Sequence, residues 1–273
     1  MSETNHPDLW REGLPWPAAD GHKHARGRLG VVSGHMTHTG AARLAARAGL
    51  RVGAGLVKMF CPPDATAVLA PVLEAVMLQP FNGAEELRRE ADAMDAVVIG
   101  PAAGVTEATA ANLLALERSG AALIVDADAL TVFRGRTNDL FAALDRDDVL
   151  TPHEGEFERI FPGLLKQGRE AAALEAAARS KAVVLLKGRD TVIAAPDGRV
   201  RVNRDGSPWL ATAGSGDVLA GLIGGLVAQR MDSFDAACAG AWMHTEAARA
   251  FGPGLIAEDL PGLVPGVLRG LQP

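Results

Sequence analysis

The chain has 273 residues, 48% of them hydrophobic, and a formal net charge of −6. This length and composition suit one large domain with a substantial core, and the negative balance argues against a nucleic-acid partner, since no broad basic field exists. The two cysteines, Cys61 and Cys238, lie far apart with no metal-type spacing; they indicate a reduced, cytoplasmic protein, and the opening residues and apolar runs read as neither a secretory leader nor a membrane span.

Residues 1–26 are rich in proline, glycine and charge and read as an N-terminal arm, which leaves 27–273 as a single domain. Within that domain, short aliphatic runs predict strands over 29–33, 56–60, 96–99, 123–125, 148–150 and 183–186. Alanine-rich stretches of helical period predict helices over 40–50, 106–118, 169–179, 218–229 and 234–251. Their alternation predicts an α/β fold, a mostly parallel central sheet flanked by helices. Residues 191–195 and 200–202 flank Pro196-Asp197-Gly198-Arg199 and predict a hairpin added to the sheet.

The segments that follow the strands are small and polar. They are Gly34, then Gly100-Pro101-Ala102-Ala103-Gly104, then Asp126-Ala127-Asp128, then Thr151-Pro152-His153-Glu154-Gly155-Glu156, then Lys187-Gly188. The carboxyl ends of parallel strands lie along one sheet edge, where ligands bind. Any one of these segments reads as an ordinary turn, but five together imply a shared cleft.

The sharpest signal is Ala211-Thr212-Ala213-Gly214-Ser215-Gly216-Asp217-Val218-Leu219-Ala220-Gly221. Apolar residues recur at Val218, Leu219, Leu222, Ile223, Leu226 and Val227, the spacing of one buried helical face. The glycines therefore sit at a helix N-terminus, where unpaired amides attract an anion and the backbone can approach it closely. Gly214, Ser215, Gly216 and Asp217 form a candidate anion hole. Asp217 is also the candidate general base for a phosphoryl-transfer step. In isolation, the stronger reading of Asp217 is an ordinary helix-start residue.

Gly214-Ser215-Gly216-Asp217 resembles the anion hole and catalytic base of ribokinase-like small-molecule kinases. The wider pattern resembles the ADP-dependent (S)-NAD(P)H-hydrate dehydratases of that superfamily, over nearly the whole chain. The stretches that carry the resemblance are His22-Lys23, Gly27-Arg28-Leu29-Gly30, Thr39-Gly40-Ala41-Ala42-Arg43-Leu44-Ala45-Ala46 and Val52-Gly53-Ala54-Gly55-Leu56-Val57. Ile124-Val125-Asp126-Ala127-Asp128-Ala129-Leu130, Leu150-Thr151-Pro152-His153, Leu185-Leu186-Lys187-Gly188 and Leu255-Ile256-Ala257-Glu258-Asp259-Leu260 follow in order. The resemblance implies that Ala41, Gly104, His153 and Asp217 bind hydrated NADH or NADPH. It implies that Lys187, Gly188, Arg189, Asp190, Thr191 and Gly216 bind ADP, with Mg2+ carried by the nucleotide and no dedicated protein metal site. It also implies a homo-oligomer, a tetramer in that family.

Taken alone, His153 reads equally as a loop-tethering residue and Lys187 as a solvated strand end. Asp126 and Asp128 are expected to order a loop and cap a helix, Asp126 also shaping the cleft. Three positions depart from the family pattern: Ala102 and Ala213 stand where glycine is usual, and Glu154 stands where proline is usual, adding a negative charge near the site. The main alternative is a ribokinase-like kinase of a vitamin alcohol, which Asp217 and the glycines cannot distinguish. A non-catalytic nucleotide-binding protein is disfavoured by the presence of Asp217, Gly216 and Lys187. A Rossmann dehydrogenase is disfavoured because Gly34 is followed by His35-Met36-Thr37-His38 rather than a Gly-x-Gly-x-x-Gly run. The epimerase domain that precedes many such dehydratases is not expected in so short an opening segment.

Overall fold

The computed structural model describes residues 2–17 and 22–272; Met1, residues 18–21 of the expected arm, Pro273 and the Lys23 side chain of the early motif lie outside the described residues. Among the described residues the strands are β1 (Glu3–Thr4), β2 (Arg28–Val32), β3 (Leu56–Cys61), β4 (Val76–Pro80), β5 (Ala96–Ile99), β6 (Ala122–Val125), β7 (Val149–Leu150), β8 (Val183–Leu186), β9 (Thr191–Ala194) and β10 (Val200–Asn203). They form one sheet in the order β1-β10-β9-β8-β7-β6-β5-β2-β3-β4. Pairing is parallel from β4 across to β8; β9 runs antiparallel to both β8 and β10, which is the expected hairpin.

The helices are α1 (Gly40–Val52), α2 (Thr66–Leu69), α3 (Ala84–Ala91), α4 (Glu107–Leu116), α5 (Asp128–Thr131), α6 (Thr137–Ala142), α7 (Glu154–Ile160), α8 (Arg169–Ser180), α9 (Ser215–Ala228), α10 (Ser233–Phe251) and α11 (Leu260–Arg269). Residues of α1, α9, α10 and α11 pack on one face of the sheet with Leu29, Val57, Val98 and Ile124. Residues of α3, α4, α6, α7 and α8 pack on the other with Phe60, Val97, Leu123 and Val184. Central strands covered on both faces read as continuous aliphatic runs, which is why β5 and β8 are legible in the sequence to the residue.

The chain runs outward from β2 to β3 and β4, then returns to β5 beside β2 and runs the other way. The switch point between β2 and β5 is where an open α/β sheet leaves a crevice. Helix α9 crosses under it, packed on β2, β5 and β6.

The opening segment differs from the irregular lead-in that its composition suggests. β1 pairs with β10, and Trp10 and Leu14 are buried in the core. Trp10 Nε1 donates to Asn5 Oδ1 at 3.0 Å, and its ring meets Trp242 of α10 edge-on at 5.7 Å. Two apolar anchors among prolines and charges carry no periodicity, so the composition hides them.

Candidate active site

The site is built first on the N-terminus of α9. Gly214 is its N-cap, with φ at 88° in the left-handed region. A Cβ there would also lie 2.8 Å from Leu44 Cδ1 and 2.9 Å from the Ala257 Cβ, so conformation and space both require glycine. Ser215 Oγ donates to the Leu210 carbonyl at 2.7 Å and ties the preceding loop to the helix. The helix begins at Ser215, three residues before the expected Val218, so Gly216 and Asp217 lie inside its first turn. Burial pushes the Asp217 carboxyl up to about 6; the Asp126 charge adds to this, Lys187 opposes it, and Asp128 and Glu156 contribute further. The dipole and amides of the helix start still favour the ionised form locally.

Asp126 ends β6 and is 1% exposed. Its Oδ1 accepts from Lys187 Nζ at 2.8 Å, and Glu156 Oε2 lies 3.9 Å from the same nitrogen. Burial alone would lower the Lys187 pKa, but the Asp126 and Glu156 carboxylates outweigh it and hold the ammonium above its usual value. Lys187 is thus a fixed cation in an acidic cluster rather than a freely solvated strand end. Between the two carboxylates of Asp126-Ala127-Asp128, Ala127 has φ at 49°, a strained conformation for alanine that turns the chain sharply. Asp128 Oδ2 then accepts from the Gly104 amide at 2.9 Å, ordering the loop after β5.

Beside this cluster lies a cavity of about 830 Å³. Its lining includes the polar groups of Lys187, Arg189, Thr191, Ser207, Ser215, His244 and Thr245, the backbone of Gly188 and Gly216, and the apolar Pro208, Leu210, Leu219 and Ala241. Asp190, Gly214 and Asp217 stand next to it without lining it. Asp190 Oδ1 accepts from the Asp205 amide at 3.0 Å and so closes the base of the β8–β9 turn against the β10 end. Burial pushes the His244 imidazole down to about 4, which keeps it neutral at physiological pH. His244 Nε2 and Ser207 Oγ are buried without a hydrogen-bond partner.

Ala41, Gly104 and His153 come from three separate elements. Ala41 is half-buried in the first turn of α1, one turn before the Leu44 that packs at Gly214. Gly104 has φ at 85°, so glycine is required there. His153 is the N-cap of α7: its Nδ1 accepts from the Gly155 and Glu156 amides at 2.9 and 3.2 Å, while Glu156 Oε2 accepts from the His153 amide at 2.9 Å. This capping box occupies Nδ1, and Nε2 lies 3.4 Å from Glu156 Oε1, so both ring nitrogens face the first turn of α7 and the ring acts first as a loop tether. His153 also bridges to Lys187 across the sheet edge, joining the two loops.

The sequence reading did not find Glu156, Arg169, Ser207 or His244. Glu156 had a signal, the spacing of three from His153 that a capping box uses. His244 interrupts the apolar run of α10, which is a weaker signal. Arg169 opens an alanine-rich helix and Ser207 sits in a loop; neither differs in sequence from a surface residue. Ala102 has φ at 52°, which explains why the pattern expects glycine there. Among the described residues, no group of three or more His, Cys, Asp or Glu side chains is arranged to hold a metal ion. Nor, among them, is any helix long and apolar enough to cross a membrane.

A doubly covered sheet whose cavity and acidic cluster meet at a glycine-capped helix start gives the chain a ribokinase-like α/β fold. The sequence model of the NAD(P)H-hydrate dehydratases matches residues 29–256, and the chain belongs to that family. The ADP-dependent (S)-NAD(P)H-hydrate dehydratase of Xanthomonas campestris pv. campestris is 37% identical, over 94% of this chain and 93% of its own length. The bifunctional NAD(P)H-hydrate repair enzyme of Gloeobacter violaceus is 39% identical over 95% of this chain, which spans only 53% of that longer protein. Among solved structures, an ADP/ATP-dependent NAD(P)H-hydrate dehydratase from Bacillus subtilis, co-crystallised with ATP and Mg2+, matches with a TM-score of 0.85 at 28% identity, over 99% of both chains.

Proposed function

We propose that residues 27–273 form a dehydratase domain that restores NADH or NADPH from the S-form of its hydrate, consuming ADP and giving AMP and phosphate. The observation that carries this reading is the Asp217 carboxyl in the first turn of α9, pushed up to about 6 and set against Lys187 beside the cavity. A base with that pKa is ionised at neutral pH yet basic enough to take a proton from a hydroxyl as it attacks phosphorus.

The ring hydroxyl of the hydrate is a poor leaving group. Asp217 takes its proton as the oxygen attacks the β-phosphorus of ADP, and AMP departs. The amides from Gly214 to Asp217 stabilise the phosphoryl oxygens in transit. The ring nitrogen's lone pair then expels phosphate, and loss of the neighbouring carbon-bound proton restores the dihydropyridine. The nucleotide occupies the cavity, with Lys187, Gly188, Arg189 and Thr191 around its phosphates and Asp190 bracing their turn from outside the cavity. At Gly216 an added Cβ would meet Lys187 Nζ at an ordinary 3.5 Å. Packing therefore does not demand glycine there, which supports close ligand approach as its reason. Ala41, Gly104 and His153 hold the hydrate on the other side of Asp217. Mg2+ travels with the nucleotide phosphates, because Asp126 and Glu156 already face Lys187.

The buried free thiols of Cys61 and Cys238 support a cytoplasmic setting. The exposed apolar Val68, Val72 and Met77 beside the β4 edge support a homo-oligomer. The test of function is incubation of the protein with the hydrate of NADH and ADP, ATP or neither, following the dihydronicotinamide absorbance. Recovery with ADP is expected. Absence of recovery with either nucleotide, together with phosphorylation of a vitamin alcohol, would replace this reading with the kinase.

A further inference from the structure

Glu154, the departure that adds a charge near the site, is ion-paired with Arg169 at the start of α8. Arg169 Nη2 in turn donates to three carbonyls of the β8–β9 turn: Leu186 at 3.1 Å, Lys187 at 3.0 Å and Asp190 at 3.3 Å. Gly188 makes this possible. A Cβ there would lie 2.5 Å from Arg169 Nη2 and 3.0 Å from Cζ, so only a glycine lets the guanidinium close over the backbone. The peptide plane is trans, so a Lys187 carbonyl drawn towards Arg169 turns the Gly188 N–H to the opposite side. There that N–H has only a long contact with Thr191 Oγ1 at 3.4 Å, and Gly188 lines the cavity. The guanidinium also places a positive charge beneath the turn.

We infer that Arg169 is a positioning residue for the nucleotide's diphosphate: it gathers the carbonyls of residues 186–190 on one face of the turn and thereby presents the Gly188 amide and Lys187 to the phosphates on the other. This rests on the placement of the nucleotide at Lys187–Thr191 proposed above. A lysine at 169 keeps the charge, but its single nitrogen cannot hold Glu154 and the three carbonyls together as Nη1 and Nη2 do.

The experiment compares wild type, Arg169→Ala, Arg169→Lys and, as a control for the site itself, Lys187→Ala. It measures calorimetric affinity for Mg-ADP, KM for ADP and for the hydrate, kcat and the thermal midpoint. Arg169→Ala is expected to weaken ADP on the order of 10- to 100-fold in Kd and KM, the range for lost hydrogen bonds to a charged group. KM for the hydrate should hold within about two-fold, and Arg169→Lys should fall between Arg169→Ala and wild type. Wild-type ADP affinity in both Arg169 variants, with Lys187→Ala impaired, would overturn the inference and leave the nucleotide site standing. Unchanged affinity in all three variants would overturn the site and the inference together. An equal rise in both KM values with a lowered midpoint would make Arg169 a fold residue; should Arg169→Ala not fold, the same comparison is read on Arg169→Lys.

Discussion

Asp217 works through its neighbours. Burial and Asp126 raise its pKa to about 6, and Lys187 limits the rise. A general base acts in its ionised form, so activity should rise with pH along a limb centred near 6 and level off above it. Asp217→Asn keeps the size of the side chain and an acceptor at the helix start while removing the base. Turnover should fall on the order of 10²–10⁴-fold, with thermal midpoint and ADP affinity retained because the backbone amides remain. Near-normal turnover in that variant would remove the assignment. Asp126→Asn tests the coupling: losing that charge both relieves repulsion and frees Lys187, so the limb should move to lower pH. A pH–rate profile that stays in place would show that burial alone sets the value. The gathering of Asp217, Lys187 and the glycines at a helix start and a strand end along one sheet edge was legible in sequence, because the helix period and the strand runs fix where those elements begin and end. The Asp126–Lys187 pair was not, since its partners are 61 positions apart and only the β6–β8 spacing across the sheet brings them together.

At the scale of elements, α9 must carry Asp217 and also lie close against α1. A Cβ at Gly221 would lie 2.2 Å from the Ala45 carbonyl oxygen, and one at Gly225 would lie 2.9 Å from Gly49 Cα. The glycines that look like breaks in the apolar pattern of α9 are therefore its contact stripe. Gly221→Ala should force the two helices apart, costing about 1–3 kcal/mol as an overpacked core does, and should lower kcat because the displaced end of α9 holds Asp217, the base proposed above. Denaturant unfolding and turnover measured together check this; unchanged stability would mean that α1 yields freely. The elements missed in sequence each have their own physical cause. Helix α7 is seven residues long and begins inside what reads as a polar loop. Strand β4 lies at a sheet edge and half-exposes residues such as Val76 and Leu78, so it lacks the continuous apolar signature of β5 and β8. Helix α11 contains Pro265 and two glycines, a composition that local propensity assigns to loop and that packing against α1 and α10 overrides.

Across the whole molecule, the opening segment is tied to the wall of the cavity by one buried chain of hydrogen bonds. Trp10 Nε1 donates to Asn5 Oδ1 at 3.0 Å, and Asn5 Nδ2 donates to Asn203 Oδ1 at 2.9 Å and to the Cys238 carbonyl at 2.8 Å. Asn203 Nδ2 donates to Thr245 Oγ1 at 3.1 Å, and Thr245 lines the cavity. An arm without structural weight would tolerate changes at Trp10. An anchored segment would not, because the indole is 2% exposed and packs on Trp242. Trp10→Ala should therefore cost about 3–5 kcal/mol, the range for emptying a large aromatic from a core. Trp10→Phe keeps most of the ring volume but leaves Asn5 Oδ1 without its donor, and should cost about 1–3 kcal/mol. Equilibrium unfolding of both variants separates packing from hydrogen bonding. If both match wild type, the segment is a lead-in after all. If Phe and Ala cost the same, the hydrogen-bond chain rather than the buried ring holds the segment to the sheet, and ADP affinity should then fall in both variants because Thr245 loses its fixed neighbours.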